Sequence, residues 1–238
     1  VLAINHQITE KEINECLEYF PAVWMWTLPY TQNYVGKMVA QKCKERNRTF
    51  TATTFSSFYT SKLLPPGNWD MYVYAIDAAT AGFGKIERRG IITNLSENFR
   101  KLLEFAIETD APIINIATWN DYPEGHHMAP EVNHNYGWAV LLKHYKARWK
   151  GEVSPYAHKD VAITFFKKYK WETQPSPYNI PIKNIAQAVE PMHEDSIEVV
   201  TILTAPAELT VNNKTVNVDK GIVSTKFAHQ PGSVNVTV

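Results

Sequence analysis

Over residues 1–150, short β-rich apolar runs alternate with helix-length amphipathic runs, the pattern of consecutive βα units feeding a parallel sheet. Four units can be read. The first is an apolar strand at 1–4 followed by a helix over 9–19, where Thr9 and Glu12 form a capping box and Ile13, Leu17 and Phe20 recur at helical spacing. The second is a strand over 22–26 and a helix from about 35 to 46. The third is a strand over 49–56, followed by a long aromatic loop in which 70–77 adds another short strand, and then a helix over 94–108 capped by Asn94 or Thr93. The fourth is a strand over 112–118, a long loop, and a helix over 136–149.

After this the pattern changes. Residues 154–185 are rich in Pro and Tyr. From Ile197 onward short strands follow at close, even spacing, over 197–204, 209–211, 215–218, 222–227 and 234–238, separated by Asn-Asn, Asp-Lys-Gly and Gln-Pro-Gly turns. That is the signature of an antiparallel β-sandwich. The predicted fold is therefore α/β. The C-terminal half of a (β/α)8 TIM-like barrel occupies 1–152, a linker or extension 153–190, and an incomplete all-β sandwich-like accessory domain 191–238. Four or five strands are too few to close an eight-stranded barrel of about 250 residues. The chain also opens with Val1 directly inside an apolar strand, so it reads as one whose N-terminal part is missing.

At 238 residues and 45% apolar content the chain can bury a sizeable core, which sets disorder aside. Twenty-four basic residues balance twenty-four acidic ones, so there is no electrostatic footprint for nucleic acid or an anionic membrane, and a neutral polymer is the natural partner. No apolar run is long enough for a transmembrane span. Cys16 and Cys43 both fall in predicted helices without metal-ligand spacing and are read as buried thiols; whether they pair is open.

In a parallel barrel, catalytic groups belong at the C-terminal ends of strands. The strand over 112–118 ends in Trp119-Asn120-Asp121-Tyr122-Pro123-Glu124-Gly125-His126-His127, two carboxylates three residues apart between aromatics and histidines. Glycoside hydrolysis needs such a pair roughly 5 to 9.5 Å apart across the scissile bond. On spacing alone, Asp121 capping a turn and Glu124 as a solvated charge is an equal reading. Trp24 and Trp26 share one face of their strand, so Trp26 can stack on a sugar or fill a core layer. Asp77 closes an apolar run and can contact hydroxyls or cap a turn, and Tyr59 is a further candidate aromatic. His126, His127 and His134 form no recognised zinc pattern, so no metal and no cofactor is expected, and hydroxyl hydrogen bonding suits a histidine here better.

The run from Trp119 to His126, after an apolar strand and ahead of Tyr136, Gly137 and Trp138, resembles the signature loop of glycoside hydrolase family 71, the endo-1,3-α-glucanases or mutanases, here of bacterial type. In that family the loop reads Trp-Asn-Asp-Tyr-Gly-Glu-Ser-His; this sequence has Pro123 and Gly125 where Gly and Ser are usual. The departures leave family 99, of endo-α-mannanases and mannosidases, as a more distant relative. Segments 22–28 and 53–61, with Phe58 and Tyr59, take the positions of earlier strand ends in the family, and the likeness covers about 150 residues.

The resemblance implies an inverting hydrolase of α-glucan with Asp121 and Glu124 as its catalytic pair, Glu124 favoured as acid and Asp121 as base. Trp119, Asn120, Tyr122, His126, Trp26, Tyr59 and Asp77 would be substrate contacts, the substrate a polysaccharide, and the location secreted or cell-surface. The rival reading is a non-catalytic polysaccharide-binding or cell-surface module.

Overall fold

The structure, a computed structural model, describes residues 1–4, 7–26, 33–59, 88–91, 93–170, 182–184 and 195–238, and at 59, 88–90 and 182–184 the backbone alone. Two compact units emerge: Val1–Ala129 with Gln174–Met192, and Pro130–Thr173 with His193–Val238.

The first unit is built from βα repeats. Strands β1 (Leu2–Ile4), β2 (Ala22–Met25), β3 (Thr49–Thr54) and β6 (Ile113–Ile116) form a parallel sheet in that order, with Val23 opposite Leu2, Thr51 opposite Trp24 and Ile113 opposite Thr51. Helix α1 (Glu10–Tyr19) joins β1 to β2 and α2 (Asn33–Glu45) joins β2 to β3, while α3 (Glu97–Glu108) precedes β6. The predicted capping box is present at the start of α1: Glu12 N–H donates to Thr9 Oγ1 (3.3 Å) and Thr9 N–H donates to Glu12 Oε2 (2.7 Å). Helix α3 begins later than its periodicity predicts. Asn94 and Leu95 stand at φ 52° and 59°, outside helical geometry, and the cap is Ser96 rather than Asn94 or Thr93. The first helical amides are satisfied by the turn itself, Glu97 N–H donating to Asn94 O and Asn98 N–H to Thr93 O.

All three helices pack on the same face of the sheet. Ile13 and Leu17 of α1, Val39 and Cys43 of α2, and Phe105 and Ala106 of α3 bury against Ile4, Val23, Met25, Phe50 and Ala52. Each fully buried Leu, Ile or Phe contributes roughly 1.5–3 kcal/mol. Burial pushes the Cys43 thiol up to about 11, and Cys16 and Cys43 are not bonded to each other. The opposite face carries Trp24, whose Nε1–H donates to Thr53 Oγ1 (3.0 Å), while the Thr53 hydroxyl donates in turn to Met25 O. A smaller sheet in the order β10 (Ile182–Asn184), β5 (Arg88–Ile91), β4 (Phe58–Tyr59) completes the unit among the described residues, together with the short hairpin described below.

The second unit is antiparallel. Strands β14 (Gly221–Ala228), β11 (Ser196–Leu203) and β9 (Val161–Phe166) form one sheet, and β13 (Lys214–Val218), β12 (Ala207–Val211) and β15 (Val236–Thr237) another. Alternate residues of β11, Ile197, Val199 and Leu203, meet Leu209, Val211 and Val218 of the second sheet in a shared core. On the other face of β9 lies helix α4 (Gly137–Trp149). Gly137 permits the close approach, since a Cβ there would sit 3.1 Å from Ile163 and 3.3 Å from Phe165. Trp138 packs on Phe165 at 4.8 Å between ring centroids.

Candidate active site

Every strand of the parallel sheet runs the same way, so one edge collects all the C-terminal ends. At that edge β3 is followed by Phe55-Ser56-Ser57, ahead of β4, and β6 by Ala117-Thr118. The Ala117 N–H donates to Thr54 O (3.0 Å), so the pairing of β3 and β6 continues one residue beyond the strand. The chain then folds into a hairpin in which β7 (Asn120–Asp121) pairs with β8 (His126–His127), Asp121 facing His126 and Asn120 facing His127. A 3₁₀ turn, Tyr122–Glu124, bridges them, started by Pro123 and ended by Gly125 at φ 61°.

The hairpin is fastened at both ends. Thr118 donates to His126 O through its N–H (2.7 Å) and its hydroxyl (2.6 Å), and Thr118 Oγ1 accepts the Asp121 N–H at 3.1 Å. The buried Ser57 hydroxyl donates to Gly125 O (2.7 Å) and the buried Ser56 hydroxyl to His127 O (3.1 Å). Phe55, Leu102 and Ala117 form a small apolar cluster under this anchor, with Phe58 and Ile91 against it. The sequence reading missed Ser56, Ser57 and Thr118; the available signal was small hydroxyl residues directly after a strand that ends at the candidate rim.

Asp121 and Glu124 lie in one turn, each partly exposed, and among the described residues neither is ion-paired to Lys or Arg. Beside them Trp119 is 64% and Tyr122 48% exposed, and Asn120 is exposed. His126 lies underneath at 3% exposure, its ring 5.4 Å from that of Phe55 and 4.8 Å from that of Phe58. Burial pulls its pKa down to about 4, only partly opposed by the charge of Asp121, so the ring is neutral at ordinary pH. Among the described residues His126 Nε2 is buried without a hydrogen-bond partner. His127, also buried, packs its ring 4.7 Å from Tyr122.

Trp26 follows β2 on the same edge, 44% exposed and edge-on to Trp24 at 5.0 Å. The side chain of Tyr59 and the whole of Asp77 lie outside the described residues. The hairpin thus brings Trp119, Asn120, Asp121, Tyr122 and Glu124 together in one short segment, in which Asp121 pairs with the buried His126.

A family model, glycosyl hydrolase family 71, matches residues 96–238, about three-fifths of the chain, including the entire hairpin. A mutanase of Penicillium rubens is 29% identical over 149 residues, covering 53% of this chain and 32% of the mutanase. The chain therefore spans about a third of the length of that curated relative.

Proposed function

Because the chain belongs to glycosyl hydrolase family 71, we propose that it supplies the acid–base pair of an inverting hydrolase of 1,3-α-glucan, a secreted or cell-surface enzyme acting on polysaccharide. One observation carries the reading: Asp121 and Glu124 share a short turn, fastened by Ser56, Ser57 and Thr118, at the C-terminal edge of a parallel sheet. Around them Trp119 and Tyr122 offer exposed aromatic faces to sugar rings, Asn120 offers an amide, and Trp26 extends the aromatic surface along the edge. His126 supports the turn from below rather than meeting the substrate from solvent.

The sheet is, in this proposal, an arc of a (β/α)8 barrel. Its strands follow one another in chain order, and α1, α2 and α3 all cover one face, whereas a doubly wound sheet carries helices on both. Trp24, Thr51 and Thr53 then face the barrel interior. The antiparallel second unit serves as the accessory domain.

In the reaction the Glu124 carboxylic acid protonates the glycosidic oxygen as its bond to C1 breaks. The Asp121 carboxylate takes a proton from a water that attacks C1 from the opposite face. An α-linkage then yields a β-hemiacetal and an alcohol. In the protein at its full natural length, Asp121→Asn is expected to lower turnover of 1,3-α-glucan by at least about 10²-fold, with glucan binding retained. NMR of the first product should show the β-anomer. A wild-type protein that binds glucan and releases no sugar would instead identify a binding module.

A further inference from the structure

Four tripeptides carry the acceptor pattern for asparagine-linked glycosylation, Asn-X-Ser/Thr: Asn47-Arg48-Thr49, Asn94-Leu95-Ser96, Asn213-Lys214-Thr215 and Asn235-Val236-Thr237. The fold separates them sharply. Asn47 is exposed in the turn between α2 and β3, held left-handed at φ 53° with its N–H donating to Lys44 O (3.2 Å). Asn213 is exposed in the two-residue turn joining β12 to β13, where Val211 pairs with Lys214. Asn235 is exposed just before β15, its N–H donating to Asn212 Oδ1 (2.9 Å) and its carbonyl accepting from Asn212 N–H (2.8 Å). These bonds bring Asn235 beside the turn that holds Asn213. Asn94 is the opposite case: it is 6% exposed, Leu95 and Ser96 beside it are buried, and the Ser96 hydroxyl accepts from Arg100 Nε–H at 2.9 Å.

We propose that Asn47, Asn213 and Asn235 are sites of N-linked glycosylation in the secreted protein and that Asn94 is not. A glycan is bulky and strongly hydrated, so only an asparagine whose surroundings lie in water can keep one after folding. The donor is a lipid-linked oligosaccharide pyrophosphate. A bond forms between Asn Nδ2 and C1 of the terminal N-acetylglucosamine, the C1–O bond to pyrophosphate breaks, the amide loses one proton, and the lipid pyrophosphate leaves; no redox partner is involved. Asn47 sits at the N-terminal end of β3 and the carboxylate hairpin at its C-terminal end, about 17 Å apart along the six-residue strand. A glycan on Asn47 therefore points away from the candidate active edge. The inference rests on exposure, on the secreted location that belongs to the hydrolase reading, and on a eukaryotic source, for which the Penicillium relative speaks against the bacterial type implied by the loop; the glycan map is read by mass spectrometry and does not depend on activity.

The test is to secrete the full-length protein from a eukaryotic host behind an added leader, treat its peptides with peptide N-glycosidase F in ¹⁸O water, and map labelled aspartate by mass spectrometry. Label is expected at positions 47, 213 and 235, with unlabelled asparagine at 94. Thr49→Val, Thr215→Val and Thr237→Val should each remove one glycan-sized step in gel mobility. Unlabelled asparagine at any of the three overturns the assignment of that position, and label at 94 overturns the exposure argument itself.

Discussion

His126 is an imidazole in an apolar seat, between Phe55 and Phe58, with its pKa pulled down to about 4 from 6.5 by burial. A depressed folded pKa means that the unfolded chain binds the extra proton first as pH falls. The stability due to the neutral ring is thus fully present above about pH 6.5 and is lost as pH drops toward 4, a total on the order of 3 kcal/mol. His144, buried in α4 and also depressed by burial and then by Arg148, acts in the same sense. Urea unfolding at several pH values between about 4 and 7 should therefore show stability rising with pH, with a distinctly shallower slope in His126→Phe. Equal slopes would contradict the assignment. The sequence put His126 in the right loop but could not reveal its burial, because that depends on Phe55 and Phe58, about seventy residues earlier in the chain. That Asp121 and Glu124 share one turn was legible for a local reason, since the two residues and those that flank them are contiguous.

At the scale of elements, the hairpin's position depends on bonds from Ser56 and Ser57, in the segment that follows β3. Ser57→Ala removes the hydroxyl that satisfies Gly125 O in a buried setting, a loss of about 1–3 kcal/mol. Turnover on glucan should fall measurably in that variant while the melting temperature drops by a few degrees; unchanged kinetics would show that the anchor does not hold the carboxylates. The βα units were readable because hydrophobic period and capping agree, as in α1, where Thr9 and Glu12 close the box at the predicted residues. Helix α3 was misjudged at its start because two left-handed residues, Asn94 and Leu95, delay it, and such geometry leaves little trace in residue type. Strand β9 went unread inside the Pro- and Tyr-rich stretch, since Val161–Phe166 becomes a strand by pairing with β11, more than thirty residues later.

For the whole molecule, equal numbers of acidic and basic residues and the neutral polymer proposed as substrate leave no long-range attraction for salt to screen. Affinity for insoluble 1,3-α-glucan should change by less than about twofold between low and moderate salt; a steep decline would indicate an anionic ligand instead. Helix periodicity alone says which side of a helix is apolar and not which side of a sheet receives it; the shared face of three helices is what an arc of the barrel read from the βα alternation would carry. The most direct measurement of the central claim is reducing-sugar release from insoluble 1,3-α-glucan by the protein at its full natural length, beside the same protein carrying Glu124→Gln. The account predicts steady release from the first and a loss of at least about 10²-fold in the second. Equal release from both would remove Glu124 from the chemistry, and none from either would contradict the hydrolase reading.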